Sequence, residues 1–99
     1  MVDSINTGTA KAGSFAGVRR IAELCEQNRI RCALSNTAAS RVGDAAAVHL
    51  ASATPGISLL CELGEFEVIS GDPFFGLSVE HGTINVPEGE RLGVGLRGF

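Results

Sequence analysis

Two ionisable residues lie where they could take part in proton transfer. Glu62 interrupts an apolar run over residues 57–63, and an ionised carboxylate in a buried strand is costly unless it is paired or used by a site. Lys11 follows a short, partly β-branched segment, and a lysine at the carboxyl end of a strand can transfer protons once its pKa is lowered. A structural ion pair for Glu62 and a solvated loop lysine for Lys11 are the open alternatives.

Other residue types with chemical potential have simpler interpretations. Residues 8–14 read GTAKAGS, which lacks the GxxxxGK[ST] spacing of a phosphate-binding loop. His49 has no second ligand at metal spacing and is predicted to be a packing histidine. Asp44 falls in the first turn of a predicted helix, where its charge favours the helix dipole. His81 precedes a glycine in a predicted turn and is expected to be exposed.

The composition describes one soluble globular domain. The chain has 99 residues, 44% apolar and 19% charged, with a formal net charge of −3 and no run of either sign, so no nucleic-acid partner is expected. No stretch approaches the ~18 apolar residues of a membrane span, and the charged N-terminal region does not resemble a signal peptide. The chain is therefore expected to be cytoplasmic, with its cysteines reduced and packed as small hydrophobic residues: Cys25, Cys32 and Cys61.

The periodicity predicts a βαβαβ order of elements. A first strand over residues 2–6 is followed by a helix that begins at Phe15 after an N-cap at Ser14, and ends near Asn28. Residues 30–34 and 57–63 read as further buried strands, with crossovers long enough for parallel pairing. Ser40 is expected to cap the helix between them, whose apolar stripe is predicted to contain Val42, Ala45, Ala46, His49 and Leu50.

The last third of the sequence has a different pattern. Residues 77–86 alternate around His81-Gly82, which predicts a β-hairpin ended by Pro87. The tail over residues 88–99 is rich in glycine and is expected to be poorly held unless it packs on another surface. Thirteen glycines and five aromatic residues, all phenylalanine, leave few large side chains for a core, so a partner surface is expected.

Several motifs occur in an order that points to one family. Lys11-Ala12-Gly13-Ser14 resembles a K-x-G-G turn, and Glu62-Leu63 is similar to the E-L pair of an eighth barrel strand. Residues 82–87 and Leu92-Gly93-Val94 resemble a closing hairpin and a G-L-G-V segment. Together they resemble the C-terminal part of the barrel domain of the enolase superfamily, most closely the muconate and chloromuconate cycloisomerase branch of the mandelate racemase/muconate lactonizing enzymes.

The resemblance implies an α/β fold that is part of a (β/α) barrel. The βαβαβ unit would occupy residues 1–70, and residues 71–99 would form the closing hairpin and a tail that packs on a capping domain. A complete barrel takes ~250 residues. The implied partners are therefore the N-terminal capping domain and first barrel strands, or a second copy of the chain.

The resemblance also implies a reaction and its residues. Glu62 and Lys11 are the expected catalytic residues, and Asn36 and Thr37 are the expected substrate-binding residues. Gly8 occupies the family's second catalytic lysine position, so Lys11 would act as the base only if a bulge shifts the register, and the simpler alternative is that this base is absent. The parent reaction would be cycloisomerisation of a small dicarboxylate of muconate type through an enolate, assisted by Mg or Mn held by other strands. No metal ligand is expected in this chain, and we expect the chain to be inactive alone. A related epimerase, racemase or o-succinylbenzoate synthase, and a non-catalytic half-barrel assembly module, are the alternatives.

Overall fold

A parallel strand pair organises the N-terminal two thirds of the chain. The computed structural model describes residues 4–8, 12–36, 40–57, 61–68, 70–89 and 91–96. Strand β1 (Ser4–Thr7) pairs in parallel with β2 (Arg31–Leu34). Two isolated parallel bridges, Cys32 to Ile57 and Ser35 to Glu62, place the next segment along the other edge of β2. The predicted parallel arrangement is therefore confirmed at both ends of that segment.

Helix α1 (Phe15–Gln27) connects the two strands and begins and ends as its sequence predicts. The Ser14 hydroxyl oxygen accepts a hydrogen bond from the Gly17 amide at 2.9 Å, which satisfies one of the free amides of the first turn. At the other end, the Asn28 side chain donates to the Leu24 carbonyl at 2.8 Å. The buried face of this helix consists of Val18, Ala22 and Cys25.

Helix α2 (Arg41–Ala53) lies where it is predicted, but a different face is buried. Val42, Ala46 and His49 are only half-buried. The residues that the helix turns inward include the polar Asp44, because its carboxyl oxygens have hydrogen-bond partners there. The predicted stripe was therefore wrong at these three positions, and the buried set is Asp44, Ala45, Ala47, Val48 and Leu50.

Short antiparallel pairs form the C-terminal third. After a 3₁₀ helix (Glu65–Val68), β3 (Phe74–Phe75) pairs with β6 (Gly95–Leu96), and β4 (Val79–Glu80) pairs with β5 (Thr83–Ile84). The predicted hairpin turn is confirmed: exposed His81 and Gly82 have φ values of 52° and 75°, which match a type I′ turn.

The tail is held by this chain itself over the residues that the structure describes. The ring nitrogen Nε2 of half-buried His49 lies 2.8 Å from the carbonyl oxygen of Leu92, and β6 supplies the backbone pairing just beyond. The expectation that the tail lacks support is therefore wrong there. Packing of the tail on a capping domain stays a prediction. His49 has the structural role that its sequence predicts.

Among the residues that the structure describes, two hydrophobic clusters form the interior. The larger one joins β2, both helices and the C-terminal third, with Leu34, Val48, Leu63, Phe66 and Leu77 among its members. The smaller one packs Ala22 and Cys25 of α1 against Cys32 of β2. Cys25, Cys32 and Cys61 form no disulfide bonds. In the described part of the chain, no helix is both long and apolar enough to cross a membrane.

Candidate functional site

The carboxyl ends of neighbouring parallel segments meet at one edge and bring together residues far apart in sequence. The Ser35 amide donates to the Thr7 carbonyl at 2.8 Å, which places Ser35 next to Gly8 at the end of β1. The Glu62 amide donates to the Leu34 carbonyl at 2.9 Å, and Glu62 is the bridge partner of Ser35. Gly8, Ser35 and Glu62 therefore lie side by side at this edge.

Glu62 presents its side chain to solvent. Its neighbours Cys61 and Leu63 pack against the larger core cluster, so strand alternation directs Glu62 away from that core. The side chain is exposed, and no cation of the described residues forms an ion pair with it. The interpretation that Glu62 is a carboxylate in a buried strand is therefore wrong, because the side chains of Cys61 and Leu63 turn toward the core and that of Glu62 does not. Its carboxylate is free to meet a ligand.

Asn36 follows Ser35 and is held by both the sheet and α2. Its backbone amide donates to the Glu62 carbonyl at 3.2 Å. Its side-chain nitrogen lies 3.1 Å from Oδ1 of Asp44 and 3.4 Å from the Gly43 carbonyl oxygen. The predicted substrate-binding residue Asn36 thus lies beside the predicted catalytic residue Glu62.

Asp44 is the site residue that sequence reasoning missed. Its side chain is fully buried, and its second oxygen, Oδ2, accepts a hydrogen bond from the Phe66 amide at 3.1 Å. The helix dipole is sufficient to explain an acidic residue in a first turn, so the sequence offered no reason to predict a site role for Asp44. The one sequence signal is that Asp44 shares a helical face with Ala47 and Val48, which is an apolar face.

Arg41 and Asp72 anchor the start of α2 to the C-terminal third. Asp72 accepts hydrogen bonds from the Arg41 amide at 2.9 Å, from the Arg41 guanidinium at 3.2 Å and from the Phe74 amide at 3.0 Å. The Arg41 guanidinium also donates to the Leu77 carbonyl and lies over the Phe66 ring, 5.0 Å from its centre. Desolvation alone would raise the pKa of Asp72, but the hydrogen bonds from Arg41 and Phe74 hold that pKa below its usual value.

Gly8 is required by a close approach of two backbones. A Cβ atom at this position would lie 2.3 Å from the Ser35 carbonyl oxygen and 3.9 Å from Oδ1 of Asn36. A side chain of any kind, including the lysine that the family resemblance implies here, would collide with the backbone of β2. The absence of a side chain at position 8 therefore has a steric cause.

The remaining predicted site residues, Lys11 and Thr37, lie outside the described residues, and their roles stay predictions. Within the described ranges, no three His, Cys, Asp or Glu side chains come together as a metal site. Asp44 and Asp72 use their oxygens to accept hydrogen bonds from protein donors. These residues do not fit a metal ion, and we derive no metal-dependent step from them.

A cavity of about 570 Å³ borders the site between α2 and the β4–β5 hairpin. Val48, Leu63, Val79 and Ile84 give it an apolar wall, and Glu62 lies on its border. It therefore provides apolar volume next to the carboxylate.

The chain can now be compared with known proteins. Residues 1–98 match the family described as enolase C-terminal domain-like. The chain belongs to this family. No match is found among the curated proteins.

Several solved structures are similar to this domain. One is a dipeptide epimerase from Cytophaga hutchinsonii in complex with Mg and the dipeptide D-Ala-L-Val, at 28% identity and a TM-score of 0.85 over 97% of this chain and 26% of that protein. Another is an isomerase from Streptomyces coelicolor A3(2), at 27% identity and a TM-score of 0.84 over 96% of this chain and 26% of that protein. The chain thus spans about a quarter of the length of these proteins.

Proposed function

We propose that this enolase C-terminal domain forms the last barrel segment of an enolase-superfamily isomerase and supplies Glu62 to its active site. The observation that carries the proposal is the alignment of Gly8, Ser35 and Glu62 at the carboxyl ends of parallel segments. Barrel enzymes build their active sites at this edge. An exposed carboxylate at that edge, facing away from the core, is suited to touch a substrate.

Glu62 would accept or hold a proton at its carboxylate oxygens, or polarise a substrate group by hydrogen bonding. General acid–base groups of this kind contribute ~10²–10⁴-fold to a rate. The Ser35 backbone excludes a lysine at position 8, so Lys11 is the proposed partner in proton transfer through a shifted register of its segment. A divalent metal, Mg or Mn, would stabilise an enolate in the complete enzyme, with ligands from other strands.

Two branches of the superfamily are candidates for the specific reaction. The motifs around Lys11 and Glu62 resemble muconate and chloromuconate cycloisomerases, which supports a small dicarboxylate as substrate. The similarity to the Cytophaga hutchinsonii epimerase over 97% of the chain supports epimerisation as the second candidate. The isolated chain is proposed to be inactive in either case.

The proposed partner is the remainder of a barrel with its capping domain. Among the described residues, β1 pairs with β2 on one edge and with nothing on the other. Ser4, Ile5 and Asn6 are exposed along it. Unpaired strand edges readily pair with another strand, and self-association through this edge is the alternative to a barrel partner.

Reconstitution tests the proposal. The chain is mixed with a Cytophaga hutchinsonii epimerase that lacks the matching C-terminal quarter, and in parallel with a muconate cycloisomerase shortened in the same way. We expect a 1:1 complex by light scattering, together with Mg-dependent exchange of a substrate α-proton for deuterium, followed by ¹H NMR on D-Ala-L-Val, or lactonisation of cis,cis-muconate. The fragment that yields activity identifies the branch.

A matched pair of variants isolates the role of Glu62. Glu62→Gln should lower the exchange or lactonisation rate by ~10²–10⁴-fold without changing complex formation. Glu26→Gln alters another exposed glutamate, on α1, and should leave the rate within about twofold, as surface changes away from a site do. A chain that binds neither fragment would contradict the barrel-segment proposal and favour a non-catalytic assembly module.

A further inference from the structure

The orientation of the Asn36 amide is determined by what surrounds it. Asp44 Oδ1 and the Gly43 carbonyl oxygen both lie at hydrogen-bond distance from its side-chain nitrogen. Both of these atoms are acceptors, so only the NH₂ end of an amide can face them. The two N–H groups of Asn36 are therefore used on α2, and its Oδ1 must lie on the other side of the amide.

That oxygen lies over the end of β1. It is 3.9 Å from the point that a Cβ atom of Gly8 would occupy, and none of the described donors is hydrogen-bonded to it. Every buried side-chain polar atom of the described residues has a partner, so an unpaired Oδ1 is reached by solvent. A ligand at the strand ends would meet a carbonyl oxygen at Asn36 and a carboxylate at Glu62.

Asp44 is held too firmly to allow the reverse orientation. It is fully buried on α2, and the Phe66 amide donates to its Oδ2. Two chain segments thus fix the carboxyl group. Turning the Asn36 amide by 180° would bring its oxygen against the Gly43 carbonyl oxygen, which can only accept hydrogen bonds.

We propose that Asp44 is a positioning residue that turns the Asn36 carbonyl oxygen toward the strand ends, so that the site selects a ligand group that donates hydrogen bonds. This inference rests on the proposed function for the location of the site. The ligand group is a primary ammonium or a hydroxyl, and a carboxylate is disfavoured there. A dicarboxylate substrate would then have to place its carboxylates away from Asn36.

The first test is made on the Asn36 side-chain amide of the ¹⁵N-labelled chain. Its NH₂ protons should exchange with solvent about tenfold more slowly than those of a free primary amide, as a hydrogen bond of ordinary net strength gives. Asp44→Asn keeps an acceptor for the Phe66 amide and presents an NH₂ group to Asn36, so the Asn36 NH₂ group loses its shorter hydrogen bond, keeps only the longer one to the Gly43 carbonyl oxygen, and should exchange faster. Exchange in the unmodified chain at the rate of a free amide overturns the proposal, whether or not the variant folds.

Asp72→Asn is the matched control. It removes a carboxylate that also contacts the start of α2 but does not contact Asn36, so the Asn36 NH₂ signals should keep their protection. A loss of protection equal to that of Asp44→Asn would mean that any weakening of α2 releases Asn36, and the positioning role would be refuted.

The second test uses three probes with the same four-carbon skeleton, butylammonium, butanol and butyrate, titrated at equal ionic strength. Butylammonium or butanol should shift the backbone amide signals of Ser35, Asn36 and Glu62 at least about threefold more than butyrate, and Asp44→Asn should reduce that difference, because the Asn36 oxygen is then held less firmly toward the strand ends. The probe that gives the largest shifts identifies whether the donor group of the ligand is an ammonium or a hydroxyl. Shifts of equal size with butyrate would refute the proposal that the site selects a hydrogen-bond donor. Failure of the proposed function would be a different result, namely a chain that does not reconstitute a barrel.

Discussion

At the scale of single residues, the contacts of Gly8 and Asp44 define the candidate site more than the ionisable residues do. Gly8 lets two strand ends approach each other, and Asp44 orients Asn36 beside Glu62. Neither is a residue type that draws attention as a catalyst. A site of this kind depends on its supporting residues to hold the ligand-contacting groups in place.

Gly8→Ala tests the close approach. A methyl group 2.3 Å from the Ser35 carbonyl oxygen must push the backbone of β1 or β2 aside, which should lower the free energy of unfolding by about 1–3 kcal/mol, as overpacking does. Urea denaturation followed by circular dichroism measures it. Gly64→Ala is the control, because its Cβ would meet only the Val79 side chain at 3.8 Å; equal losses in both variants would contradict the steric role of Gly8.

Asp72 gives the fold an acid dependence. Its pKa is held below the ordinary value in the folded state, so the stabilisation it provides is present above the unfolded-state pKa of about 3.9 and is lost as the pH falls through the lower, folded value. We expect the urea concentration at half-unfolding to decrease as the pH is lowered below about 5. The Asp72→Asn variant should show a smaller decrease with pH. Glu23→Gln, which alters an exposed ion pair with Arg20, should leave this pH dependence of the urea midpoint unchanged. An equal pH dependence in Asp72→Asn and the unmodified chain would contradict its assignment to Asp72.

At the scale of elements, most local signals were read correctly, whereas the Ser40 side-chain cap was predicted wrongly and contacts between distant segments were not predicted. The Ser14 cap, the helix ends and the His81-Gly82 turn follow from residues next to one another in sequence, and all are present. The buried face of α2 depends on Phe66, 22 residues beyond Asp44, and the steric demand at Gly8 comes from Ser35. A single sequence does not show which distant segments contact each other.

Helix capping gives a direct comparison between the two helices. Ser14→Ala removes the hydrogen bond to the Gly17 amide and should lower the free energy of unfolding by about 1 kcal/mol. Ser40 precedes α2 without a side-chain capping bond, so Ser40→Ala should cost only a few tenths of a kcal/mol by the same scale. Chemical denaturation of both variants under one set of conditions measures the difference, and a larger loss from Ser40→Ala would contradict the assigned caps.

At the scale of the whole molecule, the cysteines report on the integrity of the core. Burial, with the nearby Cys25 and Cys61, raises the pKa of the Cys32 thiol to about 11. Only roughly one Cys32 thiol in a thousand would then be ionised at pH 8, and the thiolate is the form that reacts. Reaction at Cys32 therefore requires the smaller hydrophobic cluster to open.

Alkylation with iodoacetamide at pH 8, resolved by peptide mass spectrometry, should modify half-buried Cys61 first and leave Cys25 and Cys32 unmodified until urea unfolds the chain. A Cys61→Ala variant should accordingly resist modification in its folded state. Modification of Cys32 as fast as Cys61 in the absence of urea would show that α1 separates from β2 without global unfolding.

The turn at His81 and Gly82 has a practical consequence. Both residues are exposed and adopt left-handed backbone conformations at the tip of a hairpin, and loop tips of this kind tolerate insertions well. Gly82 also lines the cavity next to Glu62. A fluorophore-bearing peptide inserted between the two residues would therefore let the chain be tracked or pulled from a mixture, and it would also stand at the rim of that cavity, where its emission can report a bound ligand.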